Sequence, residues 1–321
     1  MRVLVTGGAG FIGSHVVDEL QRRGHEPFAL DDLSSGHREN LTASVPLIEA
    51  DIRDAAAVAA VFDDVQPEAV CHLAAQVSVS RSVREPVFDA DVNVMGLLNV
   101  LSHCGRRGVR RVAFSSSGGA LYGDVSEPAG ETHACDPISP YGLSKLTGER
   151  YLEFFAHEHG LTGIALRFSN VYGPRQDPHG EAGVVAIFSQ RLLAGEAVTI
   201  NGDGKYVRDY VEVTDVAGAT AAALEAKLDE PFVAFNVGTG RGTDVNQLAS
   251  VMLPICADVR RGMGERGPIA DPQHGPARAG DLRSSLISPQ RLADRLGWEP
   301  AVGLDEGLRN TVEWFAAHSP A

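Results

Sequence analysis

The chain has 321 residues, 44% of them apolar, and a formal charge of −14 at pH 7. That apolar content fills one large core or two joined lobes, and so acidic a balance excludes nucleic-acid and anionic-membrane surfaces, which need a basic field. An anionic substrate therefore requires a local cationic pocket. In chain order, the first predicted strand, 3–5, runs into Thr6-Gly7-Gly8-Ala9-Gly10-Phe11-Ile12-Gly13 and then into an amphipathic helix over 12–23. A strand that reverses tightly into a helix leaves backbone N–H groups facing a pyrophosphate, and only glycine suits the closest approaches. Gly8-x-Gly10-x-x-Gly13 and Gly7-x-x-Gly10-x-x-Gly13 both fit dinucleotide-binding spacings. The second strand, 28–30, ends at Asp31, 18 residues after Gly13. A carboxylate there accepts a ribose 2′-OH and repels a 2′-phosphate, so NAD is predicted over NADP.

Further strands are predicted at 47–48, 69–73, 111–115 and 163–168, alternating with helices over 54–63, 90–107 and 141–159. The alternation predicts an α/β fold, a Rossmann-like doubly wound parallel sheet over 1–169. From 170 to 321 the pattern loosens into Gly- and Pro-rich loops with helices near 184–195, 214–227, 243–251, 288–295 and 304–317. This half reads as a smaller C-terminal α/β lobe for the substrate, with some later segments returning to the sheet. The stretch 260–283 reads as a solvated loop. Cys71, Cys104, Cys135 and Cys256 show no metal-ligand spacing and mostly fall in apolar runs, so they are expected to be reduced and structural, with no metal site. No apolar run approaches membrane-spanning length and no signal-peptide pattern precedes the first strand, which gives a cytoplasmic protein as the expectation.

The second constellation is Pro140-Tyr141-Gly142-Leu143-Ser144-Lys145, opening a predicted helix. Positions i and i+4 share a helix face, and an ammonium beside a phenol favours the phenolate, lowering a pKa that is about 10 in water. Tyr141 then becomes a usable base near neutrality. Lysine is scarce, found only at 145, 205 and 227, so its placement at i+4 carries weight.

These motifs extend along the chain: Asp31-Asp32-Leu33-Ser34-Ser35-Gly36, Asp51-Ile52, His72-Leu73-Ala74-Ala75-Gln76, Asn93, Ser115 to Gly123, Arg167 to Arg175, Asn201 to Gly204, Arg208-Asp209-Tyr210 and Arg278-Ala279-Gly280-Asp281. With the glycine turn and the Tyr-Lys pair, they make the chain resemble, over nearly its whole length, the extended short-chain dehydrogenase/reductase family, and within it the UDP-glucose 4-epimerase type. The resemblance implies NAD contacts at Gly7, Gly10, Phe11, Ile12, Gly13, Asp31, Asp32, Ser34, Ser35, Gly36, Asp51, Ile52, Leu73, Ala74, Ala75, Gln76, Asn93, Ser115, Tyr141, Lys145 and Phe168. It implies diphosphate ligands at Asn170, Arg208 and Arg278 and a ribose contact at Asp281. Val184, Thr199, Asn201 and Tyr210 are further substrate contacts by the same likeness. Independently of the likeness, arginine suits a phosphate because its planar donors bind two oxygens at once.

In this family a Ser or Thr after the fifth strand bonds the sugar 4-OH. Here that position falls on Gly118 within Ser115-Ser116-Ser117-Gly118-Gly119. Ser117 reaching in from one position earlier, Ser116, or Tyr141 acting alone are the readings left open, with Ser117 preferred. Related dehydratases place an Asp-Glu pair here to eliminate water, and related decarboxylases a Glu; Gly118-Gly119 supplies neither. The expected activity is NAD-dependent 4-epimerisation of a UDP-hexose through a 4-keto sugar, with Tyr141, Lys145 and Ser117 as the catalytic set. Ser285, small and beside the implied C2 position, extends the expectation to N-acetyl sugars. The resemblance also implies a homodimer through the helices at 90–107 and 141–159, with Val92, Val94, Leu97, Leu98, Leu101, Leu152 and Phe155 in core or interface. A net NAD(P)-dependent dehydrogenase and a non-catalytic NAD-sensing regulator are the competing classes; the phosphate-binding arginines speak against the first and the intact Tyr-Lys pair against the second.

Overall fold

The computed structural model describes residues 1–179, 183–265, 267–277 and 280–318. Its strands, in chain order, are β1 (Arg2–Thr6), β2 (Glu26–Asp31), β3 (Leu47–Glu49), β4 (Ala69–His72), β5 (Arg111–Ser117), β6 (Thr162–Phe168), β7 (Asn170–Tyr172), β8 (Thr199–Asn201), β9 (Val207–Glu212), β10 (Phe232–Val237), β11 (Gly242–Asp244), β12 (Gln273–Gly275) and β13 (Ser284–Ser285). Seven of them form one parallel sheet in the order β3-β2-β1-β4-β5-β6-β10. This is the doubly wound order with β10 added beside β6.

Helices cover both faces, so the strands are near-continuous apolar runs. The period-two alternation of a strand divides them between two cores. Val3, Val5 and Cys71 pack with Val16, Leu20, Ala217 and Leu224 on one side. Leu4, Val70 and Phe114 pack with Phe62, Leu97, Leu101 and Leu152 on the other. The parallel register aligns Thr6 with His72, His72 with Phe114, and Ser117 with Phe168, so the carboxyl ends of the strands share one edge. A ligand crevice is expected along that edge.

The chain after β6 builds a second lobe. β11, β9 and β13 with β7 make a four-stranded sheet, and β8 pairs with β12. The helices Val184–Leu193, Val245–Gly262 and Leu304–His318 enclose a third core around Leu192, Tyr210, Met252 and Leu308. The chain also returns: the helix Val213–Glu225 joins the first core and β10 closes the edge of β6. Among the described residues, no helix is long and apolar enough to cross a membrane. Cys71, Cys104 and Cys256 are buried and Cys135 half-buried, all as free thiols.

Two elements depart from the expectation. The helix placed at 90–107 is interrupted: Pro86–Ala90 passes through a π-helical turn, Asp91–Gly96, before Leu97–Arg107. The helix placed at 243–251 instead runs from Val245 to Gly262, through Pro254. Ile255 and Cys256 beyond the proline are buried in the third core, and that packing outweighs the cost of an interior proline. The segment 260–283 is accordingly not all loop, since it holds this helix end and β12.

Candidate active site

The crevice begins with the glycine turn. Gly7 has φ +69°, and a Cβ there would lie 2.7 Å from the Ala74 backbone nitrogen. A Cβ on Gly13 would lie 1.9 Å from the Gly7 carbonyl oxygen, so the helix Phe11–Arg22 seats directly on the turn. Gly10 begins that helix with no side-chain cap, which leaves its N-terminal dipole for an anion. Asp31, at the end of β2, accepts N–H bonds from Ala9 and Leu33, both at 2.9 Å, while burial pushes its pKa up. A Cβ on Gly36 would sit 2.7 Å from the Asp31 carboxylate, so this loop too closes on the acid. Asp32 is held in a local turn by the Ser34 hydroxyl at 2.6 Å. Asp51 is paired with Arg53, which holds its carboxyl below the usual range. The cradle without room for side chains, the uncapped helix and the ribose-type acid together fit a dinucleotide.

The reaction centre lies where β5 meets the helix Pro140–His159, whose first turn is capped by Ser139 and started by Pro140. The Lys145 Nζ donates to the Ser115 carbonyl at 2.8 Å and lies 5.7 Å from the centre of the Tyr141 ring. Burial brings Lys145 down to about 8. The Tyr141 phenol is pushed up to about 12, because burial outweighs a hydrogen bond from the Ser117 side chain. The expected depression by lysine is thus reversed among the protein's own groups: at that separation the ammonium does not offset desolvation.

The serines at the end of β5 have different surroundings. Ser116 is buried and donates to Glu149 Oε1 at 2.5 Å. Ser117 is the serine that faces the Tyr141 phenol and works against the effect of burial on it. Gly118 leaves no space for the usual side chain, since a Cβ would meet Ile287 Cγ2 at 2.8 Å. Gly119 faces Ser285 Oγ, Asn170 Oδ1 and Ser117 Oγ, at 3.6 to 3.9 Å from an added Cβ. Its missing side chain leaves space in the middle of the expected sugar contacts.

The second lobe supplies the opposite wall. β9 pairs with β7 and β13 so that Asn170 lies beside Tyr210 and Ser285 beside Arg208. Arg208 donates to the Asp281 carboxylate at 2.5 Å, so two expected substrate contacts hold one another. Arg278 lies outside the described residues. Val184 opens a helix that Gly183 precedes without a side-chain cap. Thr199 and Asn201 stand on β8, in register with Gln273 and Gly275 of β12. Tyr210 is buried edge-on to Tyr172, and burial raises its pKa.

Three acidic residues that the sequence reading did not single out are built into this centre. Asp89 is fully buried and accepts from Gln76, Asn93 and Ser144. Glu149 forms a bidentate pair with Arg167 at 2.7 and 2.9 Å. Asp209 accepts from the Thr239 hydroxyl and the Gly240 N–H, tying β9 to the loop beyond β10. The available signals were spacings: Asp89 lies four residues before Asn93, and Glu149 four after Lys145.

Residues 3–238 match the NAD dependent epimerase/dehydratase family. The chain is 44% identical to a UDP-glucose 4-epimerase of Mycolicibacterium smegmatis, over 98% of both chains. A UDP-glucose 4-epimerase of Thermotoga maritima, solved with UDP-glucose, superposes with a TM-score of 0.91 at 49% identity, covering 99% of each chain. The Thermus thermophilus UDP-glucose 4-epimerase, solved with NAD, gives 0.90 at 46% identity, covering 99% of this chain and 100% of that one.

Proposed function

The chain belongs to the NAD-dependent epimerase/dehydratase family, and from that footing we propose that it interconverts UDP-glucose and UDP-galactose by inversion at C4 of the hexose. The observation that carries the reading is the composition of the reaction centre. Tyr141, bonded to Ser117 and backed by Lys145, faces a wall in which Gly118 and Gly119 offer no acid or base for elimination.

The glycine turn, Asp31 and the Leu73–Gln76 loop would hold NAD, which when bound would supply a reversible hydride acceptor together with a cationic ring. Tyr141 takes the proton of the sugar 4-OH, a role favoured once positive charge stands near the phenol. Ser117 orients that hydroxyl through its bond to Tyr141, and Lys145 keeps its ammonium directed by the Ser115 carbonyl. Loss of the proton and of the C4 hydrogen with its electron pair leaves a 4-keto sugar. Arg208, Arg278 and Asn170 grip the diphosphate while the hexose turns its other face, and return of the hydride inverts C4. A firm hold on the nucleotide with an open wall at Gly119 suits that rotation. Ser285 and the absent side chain at Gly119 also leave room for a C2 N-acetyl group, so UDP-GalNAc is the second substrate to try. The four free thiols suit a reducing cytoplasm, and the working form is a homodimer.

The test is incubation of purified protein with UDP-galactose, without added cofactor, and chromatographic quantification of UDP-glucose. Conversion is expected, and Tyr141→Phe should lose about 10²- to 10⁴-fold of it while retaining NAD. No conversion even after NAD is supplied sinks the epimerase reading.

A further inference from the structure

Asp89 belongs to the short helix Pro86–Ala90, immediately before the π-helical turn, and none of its surface is exposed. Its Oδ2 accepts from the Ser144 hydroxyl at 2.7 Å, and its Oδ1 from Gln76 Nε2 at 2.8 Å and Asn93 Nδ2 at 3.0 Å. Both carboxylate oxygens are engaged, Oδ1 by two amide donors and Oδ2 by the Ser144 hydroxyl. The three donors come from three segments that frame the cofactor crevice. Ser144 stands between Tyr141 and Lys145. Gln76 ends the Leu73–Gln76 loop, and its backbone N–H and carbonyl are both bound by the Asn93 side chain, at 2.9 and 3.0 Å.

We propose that Asp89 is a positioning residue for the Tyr141–Lys145 pair: its buried carboxylate locks the helix and the Leu73–Gln76 loop together and sets one fixed negative charge behind both reacting groups. The inference rests on the epimerase reading above. A buried anion surrounded only by neutral donors costs stability unless something offsets it. The cation that feels it is Lys145, whose ammonium it favours against desolvation; Tyr141 feels the same charge in the opposite sense, as a like charge that disfavours the phenolate. The other charged and titratable groups around this centre are distributed as follows. His72 on β4 is buried and neutral beside Lys145, its pKa lowered to about 3. Arg81 and Arg53 stack on Phe88 at the outer face of the same helix, and Asp91 pairs with Arg53.

Removing the charge lowers the pKa of both Tyr141 and Lys145, so both limbs of the bell-shaped kcat–pH profile move to lower pH, by about one unit each. Asp89→Asn in the holoenzyme is the test, read as the kcat–pH profile for UDP-galactose. A second reading is the phenolate absorbance of NAD-stripped protein, as the difference from the same protein carrying Tyr141→Phe; its onset should also fall by about one unit. Loss of kcat with both limbs and the phenolate onset unmoved overturns the charge-setting role. Ser144→Ala keeps the charge and removes the lock: kcat should fall about five- to tenfold at constant KM, with the limbs in place. Parental kcat in Ser144→Ala overturns the positioning role, and that outcome is available even where Asp89→Asn does not fold. Failure of the parent enzyme to convert UDP-galactose sinks the epimerase reading alone, because the phenolate shift is measured without turnover.

Discussion

At Gly13 the absence of one carbon decides the geometry. Its Cβ would occupy the position of the Gly7 carbonyl, so Gly13→Ala forces the helix off the turn. Overpacking of this kind costs about 1–3 kcal/mol, and because the proposed cofactor site lies at the start of this helix, NAD affinity should fall as well. Denaturant unfolding and NAD titration check the two effects; an alanine variant with parental values in both would refute the tight-seat account. The glycines and the Tyr141–Lys145 pair were legible in the sequence because their chemistry is set by local spacing. The direction of the Tyr141 shift was not, because burial comes from residues on other elements. Nor could spacing foresee that Ser116 is engaged by Glu149, since that contact is set by how the Pro140–His159 helix packs on β5.

Among elements, the Pro140–His159 helix links the reaction centre to the interior. One turn past Lys145, Glu149 accepts two guanidinium bonds from Arg167 of β6 and one from Ser116 of β5. Arg167 also donates to the Tyr122 hydroxyl at 2.7 Å, which continues to Asn236 of β10. This network fastens the strand carrying Ser117 to β6 and, through Tyr122, to β10. Arg167→Met leaves Glu149 buried without its cation and should cost about 3–5 kcal/mol in denaturant unfolding, whereas the double change with Glu149→Met should recover most of the loss. Equal loss in the single and double variants would show that the pair does not act as a unit. The main strands and the long helices were readable from periodicity, while β7 to β13 were not, being mostly three-residue strands with no period to count. The helix through Pro254 was shortened for a related reason: its second half is held by contacts with the helices Val184–Leu193 and Leu304–His318, which local rules do not see.

Over the whole molecule, the conspicuous surface is apolar. Val83, Val87, Met95, Leu143 and Phe154 are 61, 81, 52, 54 and 58% exposed on the helices bordering the reaction centre. Such clusters on a folded chain mark an interface. Leu97, Leu101 and Leu152, which the sequence left between core and interface, are fully buried within the chain, so in the homodimer proposed above the exposed residues are the expected interface. Phe154→Glu should convert a dimer to a monomer in sedimentation at micromolar concentration, with the circular dichroism spectrum unchanged; a dimer that survives the charge places the interface elsewhere.

The return of the chain to β10 couples the two lobes during folding. After β6 the chain leaves the large sheet, builds part of the second lobe through β7, β8 and β9, and comes back as β10 to hydrogen-bond along the outer side of β6. A fragment ending after β6 would carry the glycine turn, Asp31, Tyr141 and Lys145 and yet display a bare strand edge, which recruits other chains. The two lobes are therefore expected to fold as one cooperative unit, and a gene dissected at residue 170 should yield insoluble halves that regain solubility only when co-expressed.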